Sequence, residues 1–128
     1  MSLKVAIFED DKDVADLLKE MMEMKDFSVT SYYNLKDKHW TECDIILGDY
    51  RNKIVSFDSL KTECHKKGIP LIAISGADTE FSPQLIKPFS IEELQAIILD
   101  TLMKSGKKLG GGNKKEDSSF FSFFRKSS

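Results

Sequence analysis

The sequence predicts an α/β domain built on a five-stranded parallel sheet covered by helices on both faces. Three observations point there. Short apolar runs alternate with stretches of helical periodicity, the signature of a parallel sheet with crossover helices. Three of the runs are apolar at consecutive positions, as strands buried on both faces must be. The length, 128 residues, suits one domain with a single core.

Taken in order, the first run is Val5-Ala6-Ile7-Phe8. Val14, Leu17, Leu18, Met21 and Met22 then recur at helical spacing, which predicts a helix over residues 12–24, with the methionine pair as core packing. The second run is Phe27–Thr30, and the third is Ile45-Ile46-Leu47. Residues 32–43 between them offer twelve positions, room for a helical stub. A helix should start at Phe57 with Ser56 as its cap and stop at Gly68. The fourth run is Leu71–Ile74 and the fifth a brief Leu85-Ile86. Only the eight positions 76–83 lie between them, whereas a parallel crossover with a full helix needs about 10–12 residues or more. That connection holds a turn of helix at most. The last helix is announced by Ser90 and Glu93, a capping box, and by the stripe Ile91, Leu94, Ile98, Leu102. The expected architecture is therefore five strands, three full helices and two shrunken ones.

The domain should end near Ser105, giving a body over 1–105 and a tail over 106–128. Gly106 and Gly110-Gly111-Gly112 read as a flexible hinge. The tail carries six basic residues (Lys107, Lys108, Lys114, Lys115, Arg125, Lys126) and two acidic ones (Glu116, Asp117). Its charge is thus +4, and against a chain total of −2 the body carries −6. So acidic a body lacks the basic footprint that nucleic-acid binding requires. The tail closes with SSFFSFFRKSS, whose four phenylalanines on a basic background allow a docking peptide or a membrane-surface anchor. An unstructured tail without a role is the plainer reading. No apolar run is long enough to span a bilayer, and no secretion signal opens the chain. Cys43 and Cys64 show no metal-ligand spacing and read as reduced thiols, so the expected location is cytoplasmic.

The chemistry gathers at strand ends. Glu9, Asp10 and Asp11 follow the first strand directly, and Asp49 follows the third. Ligands of open parallel sheets bind beyond the carboxyl ends of the strands, where the strand order reverses. In the order 2-1-3-4-5, both acid sites meet at that crevice. Clustered carboxylates repel unless a cation or a shared proton relieves them. Mg²⁺ is the natural occupant, since it prefers one or two carboxylates, several waters and a substrate phosphate in octahedral geometry. Helix capping accounts for Asp11 but not for Asp49. Ser75 ends the fourth strand with a hydroxyl, and Lys87 ends the fifth with a cation suited to clamp a transferred phosphoryl group.

The segments VAIFEDD, CDIILGDY, PLIAISGAD and LIKPF resemble, in order, the four signature blocks of response-regulator receiver domains (CheY-like), over residues 4–104. The resemblance implies a flavodoxin-like fold, a stand-alone receiver with shortened helices 2 and 4, and phosphoryl transfer from a histidine kinase or phosphotransfer protein. By position, Glu9 and Asp10 match the pair that holds Mg²⁺, and Asp49 matches the phosphoacceptor and a further metal ligand. Arg51 sits where the family offers a backbone carbonyl to the metal. Ser75 matches the switch hydroxyl, Lys87 the invariant lysine, and Lys87-Pro88 a bond that is cis in the family.

Three departures stand beside the match. Tyr50-Arg51-Asn52-Lys53 lacks the Met-Pro pair and following glycine usual after the phosphoacceptor. Gln84 replaces a switching aromatic, and the fourth crossover is too short for its helix. With no DNA-binding or enzymatic domain in view, the expected output is through a protein partner or by passing the phosphoryl group on. The expectation is of a signalling domain rather than an enzyme. A pseudo-receiver, signalling without phosphorylation, is the alternative. An aspartyl-phosphate phosphatase would place its nucleophile after the first strand. A flavin carrier would need a hydroxyl- and glycine-rich loop where Glu9-Asp10-Asp11 stand.

Overall fold

A computed structural model describes residues 2–106. The Phe-rich tail and most of the proposed hinge lie outside the described residues. The five strands are β1 (Lys4–Phe8), β2 (Ser28–Ser31), β3 (Ile45–Asp49), β4 (Leu71–Ser75) and β5 (Gln84–Ile86), all parallel, in the order β2-β1-β3-β4-β5. The helices are α1 (Lys12–Glu23), α2 (Phe57–Lys67) and α3 (Ile91–Lys104), with a 3₁₀ helix at Lys38–Glu42. This is the doubly wound arrangement expected.

The capping chemistry works as anticipated. Asp11 accepts from the amides of Asp13 and Val14 and starts α1. Ser56 caps α2, and Gly68 ends it in the left-handed region at φ 69°, where a side chain would be strained. Ser90 and Glu93 complete a reciprocal capping box on α3. Several boundaries shift by a residue or two. β2 runs Ser28–Ser31, since the Phe27 amide turns back to the Met22 carbonyl at 3.2 Å. β1 takes in Lys4, β4 Ser75 and β5 Gln84, and α1 stops at Glu23. β3 extends through Gly48 to Asp49, so that Asp49 is the last residue of the strand rather than the first after it. The second crossover holds its stub as the 3₁₀ helix. The fourth holds bends alone and no helical turn.

Two apolar layers flank the sheet. On one face Leu18 and Met22 of α1 and Leu94, Ile98 and Leu102 of α3 pack on Val5, Ile7, Leu47 and Ile72. Ile91 packs on this layer while only partly buried, and Met21 is half-buried. On the other face Phe57, Leu60 and Cys64 of α2 pack with Trp40 on Phe8, Ile46 and Ala73. Trp40, fully buried, anchors the second crossover, its indole Nε1–H donating to the Leu35 carbonyl at 3.2 Å. Neither cysteine forms a disulfide, and both are buried.

Gly48 lets α2 sit close on β3. A Cβ there would stand 2.7 Å from Leu60 Cδ2 and 3.3 Å from Leu71 Cδ1. Gly48→Ala should therefore cost about 1–2 kcal/mol through overpacking, read as a lower urea midpoint at unchanged m-value. A second change should do the opposite. Gln95 on α3 is buried, and both ends of its amide lack a hydrogen-bond partner. Gln95→Leu removes that desolvation penalty and should raise stability by about 1 kcal/mol.

Candidate functional site

The register of the sheet brings the acids together. β1 pairs with β3 so that Phe8 stands opposite Gly48, which sets Glu9 and Asp10 beside Asp49 at the carboxyl edge. One oxygen from each of Glu9, Asp10 and Asp49 lies within 4.8 Å of the others. The crevice falls between β1 and β3, where the chain direction across the sheet reverses.

Each carboxylate is held differently. Glu9 is buried: Oε2 accepts from the Asp11 amide at 3.1 Å, and Oε1 faces Lys87 Nζ at 3.3 Å. Asp10 Oδ2 accepts from the Lys53 amide at 3.1 Å, which ties the loop after β3 to the end of β1. Asp49 Oδ1 accepts from the Arg51 amide at 3.3 Å. Asn52 in turn caps the loop, its Oδ1 receiving the amides of Ile54 at 2.8 Å and Val55 at 2.9 Å.

The electrostatics follow from burial and crowding. Burial pushes the Glu9 carboxyl above its ordinary value, and the charge of Asp49 pushes the same way, while the Asp11 amide and Lys87 pull it down. For Asp10, slight desolvation works upward, but the Lys53 amide and hydrogen bonding with Glu9 and Asp49 outweigh it and hold the group below its ordinary value. Three carboxylates in so small a space thus remain short of cation.

Ser75 and Lys87 flank the cluster on the β4 and β5 side. Ser75 is buried, and its Oγ accepts from the Ala77 amide at 3.1 Å. The Lys87 amide donates to the Ser75 carbonyl at 2.7 Å, and the Lys87–Pro88 bond is cis as the resemblance implied. Lys87 pairs with Glu9, not with Asp49, a preference the residue pattern did not reveal.

Gln84 has a definite structural part. Its amide oxygen accepts from the Thr79 amide at 2.8 Å and hydroxyl at 2.9 Å, while its Nε2 donates to Asp78. The position that a switching aromatic would occupy instead fastens the loop following Ser75. Phe81 of that loop packs edge-on against Phe57 at 5.0 Å, and Phe57 against Tyr50 at 4.9 Å, so an aromatic row runs from beside Asp49 to the approach to β5. Sequence reading missed Lys53, Asn52, Thr79 and this row. Only Asn52, an Asx-turn former three residues past Asp49, left a signal that could have been read.

No family model matches the chain. Solved structures do resemble it. A Francisella response-regulator receiver domain is 27% identical and matches 83% of this chain and 100% of its own, with a TM-score of 0.65. The receiver domain of a Pseudomonas aeruginosa sensor histidine kinase, solved with magnesium coordinated in its active-site cleft, is 20% identical over 80% of this chain and 98% of its own, with a TM-score of 0.70. A Clostridium thermocellum receiver domain reaches 0.69 at 14% identity, covering 81% of this chain and 97% of its own. The chain has the receiver-domain fold. No helix among the described residues is long and apolar enough to cross a membrane.

Proposed function

We propose that this receiver domain accepts a phosphoryl group on Asp49 from a histidine kinase or phosphotransfer protein and signals through protein contacts. The observation that carries the reading is the convergence of Glu9, Asp10 and Asp49 within 4.8 Å, with Lys87 at their edge. The donor set suits Mg²⁺: it is all oxygen, and among the described residues Lys87, paired with Glu9, is the cation set against its three carboxylates. Glu9, Asp10, Asp49 and the Arg51 carbonyl would hold the ion, which when bound supplies positive charge beside the transferring phosphoryl oxygens.

The chain's own residues carry the rest. An Asp49 oxygen attacks the phosphorus of a phosphohistidine in line; the P–O bond forms as the P–N bond breaks, and the departing imidazole keeps the electron pair and takes a proton. Lys87 shares its charge between Glu9 and the incoming oxygens. The Asp11, Lys53 and Arg51 amides orient the three carboxylates before the donor arrives. The Ser75 Oγ accepts from Ala77, so its own O–H is available to donate to the acyl phosphate, drawing on the loop that Gln84 fastens. Water later hydrolyses the acyl phosphate and resets the domain. On this reading the protein is a cytoplasmic signalling module rather than a turnover enzyme, with the receiver body over 1–105 and an appended tail.

Intact mass after incubation with phosphoramidate or acetyl phosphate tests it. A single phosphoryl adduct that appears with Mg²⁺ and not with EDTA is the expected result. A folded protein that gains no mass from either donor would instead favour the pseudo-receiver. The Gln84 anchorage and the helix-free fourth crossover are the features that would then matter.

A further inference from the structure

The shortened fourth crossover leaves a groove at the end of the sheet opposite the acid cluster. It measures about 430 Å³, within the roughly 300–1,000 Å³ usual for ligand sites. Cys64, Ile69, Leu71, Phe81 and Pro83 give it an apolar lining. Part of its floor is an incomplete sheet edge. β5 pairs only with Ala73–Ser75, and the register puts Pro83, which has no N–H to offer, opposite Ile72. We infer that this groove is the docking site of the chain's own Phe-rich segment, Ser118–Phe124.

Three features of the chain commit the groove to that occupant. The first is where the described chain ends: Thr101 and Lys104 of the last helical turn and the capping Ser105 form one wall, and Gly106, the last described residue, follows at once. The second is reach. Thirteen residues separate Gly106 from Phe120, four of them in the run Gly110-Gly111-Gly112-Asn113, and a chain of that kind has a root-mean-square span of about 20 Å. A tether so short holds the segment at an effective concentration in the millimolar range, so even weak burial of phenyl rings suffices. The third is charge. Lys61, His65 and Lys104 stand on the rim with Asp100, which Lys104 already pairs at 3.0 Å. Glu116 and Asp117 immediately precede the phenylalanine segment and are placed to pair with Lys61, a rim lysine without a salt bridge among the described residues, while Phe120, Phe121, Phe123 and Phe124 supply the apolar filling. The segment takes the place on the sheet that the fourth crossover leaves uncovered. Docking of this kind does not depend on phosphorylation at Asp49.

A nitroxide on Ser119→Cys in the full chain tests it. Cys43 and Cys64 are both buried, and burial pushes the Cys64 thiol up to about 12, so the label goes to position 119. The expected result is loss of most amide NMR intensity across residues 61–71 and 81–84. That loss should vanish when all four phenylalanines become serine, a change confined to the tail. Equal broadening in the serine variant would overturn the inference. So would broadening centred on the exposed Leu17 and Met24 of α1. A signal seen only between spin-labelled and separately ¹⁵N-labelled molecules would overturn it in favour of a second copy. No broadening in solution, with the segment binding anionic vesicles instead, would overturn it in favour of a membrane anchor.

Discussion

Asp49→Asn should lose the phosphoryl adduct completely and, in EDTA, unfold at a higher temperature than the wild type. The two halves have one cause. Asparagine keeps the shape of the side chain and still offers an oxygen to the Arg51 amide, so the loop after β3 retains its tie. What disappears is the nucleophilic oxygen and one charge of three. Asp49 is among the groups that push the Glu9 carboxyl upward, so its neutralisation relieves buried Glu9 directly. A gain of about 1 kcal/mol is expected, or roughly 4–8 °C for a domain this size. Mg²⁺ should then stabilise the variant much less than the wild type, because binding to the native state alone is what raises stability. Calorimetry with and without Mg²⁺, run beside the mass measurement, reads all of this. Lost adduct with lower stability would point to damage of the fold rather than removal of the acceptor, and unchanged uptake would rule Asp49 out as acceptor. On the proposed reading the site gives up stability for chemistry, as a functional acid cluster is expected to do.

The strands and the helix caps were legible because each rests on local rules, whereas the strand order came with the resemblance to receiver domains. Continuous apolar runs mark strands covered twice, and Ser56, Gly68, Ser90 and Glu93 cap through contacts a few residues away. The acids and Lys87 were legible for a topological reason: every parallel strand ends at the same edge, so residues just past strand ends must gather there. What stayed hidden depends on three-dimensional choice among equals. Three carboxylates were candidates to face Lys87, and only the packing decides that Glu9 is both the buried one and the one paired. Lys53 acts through its backbone amide, which any residue but proline could supply, so its identity carries no signal. Gln84 read as the loss of a switching aromatic. Its gain, a double hold on Thr79, required knowing where an eight-residue loop folds back. Trp40 gave no periodic signal because it packs from a 3₁₀ turn rather than from a helix or strand.

That choice of Glu9 as partner leads to the second large effect. Lys87→Ala should destabilise the protein by about 2–3 kcal/mol at pH 8, and by less as the pH is lowered through the range where Glu9 takes up a proton. Removing one member of a buried ion pair typically costs about 3–5 kcal/mol, and the partial exposure of Lys87, 35% of its side chain, lowers that figure. The pH dependence follows from Glu9. Its native value lies above the ordinary 4.5, so the folded state holds that proton more tightly than the unfolded state. The stability it contributes is complete below 4.5 and is lost as pH rises through the native value. Without Lys87, one of the influences that pull Glu9 down is gone, so the native value climbs further and more stability is lost at neutral and higher pH. As the pH falls below that raised value Glu9 takes up its proton in the variant and has less need of a cation, which brings the two proteins together. Urea midpoints at several pH values between 5 and 8 measure the divergence. In a Glu9→Gln background the same lysine substitution should cost little at any pH, because the charge it served is absent; the interaction energy from that four-protein cycle is the strength of the pair. A cost that is independent of pH, or that persists in the Glu9→Gln background, would mean that Lys87 supports the fold through its packing and that Glu9 answers to another cation.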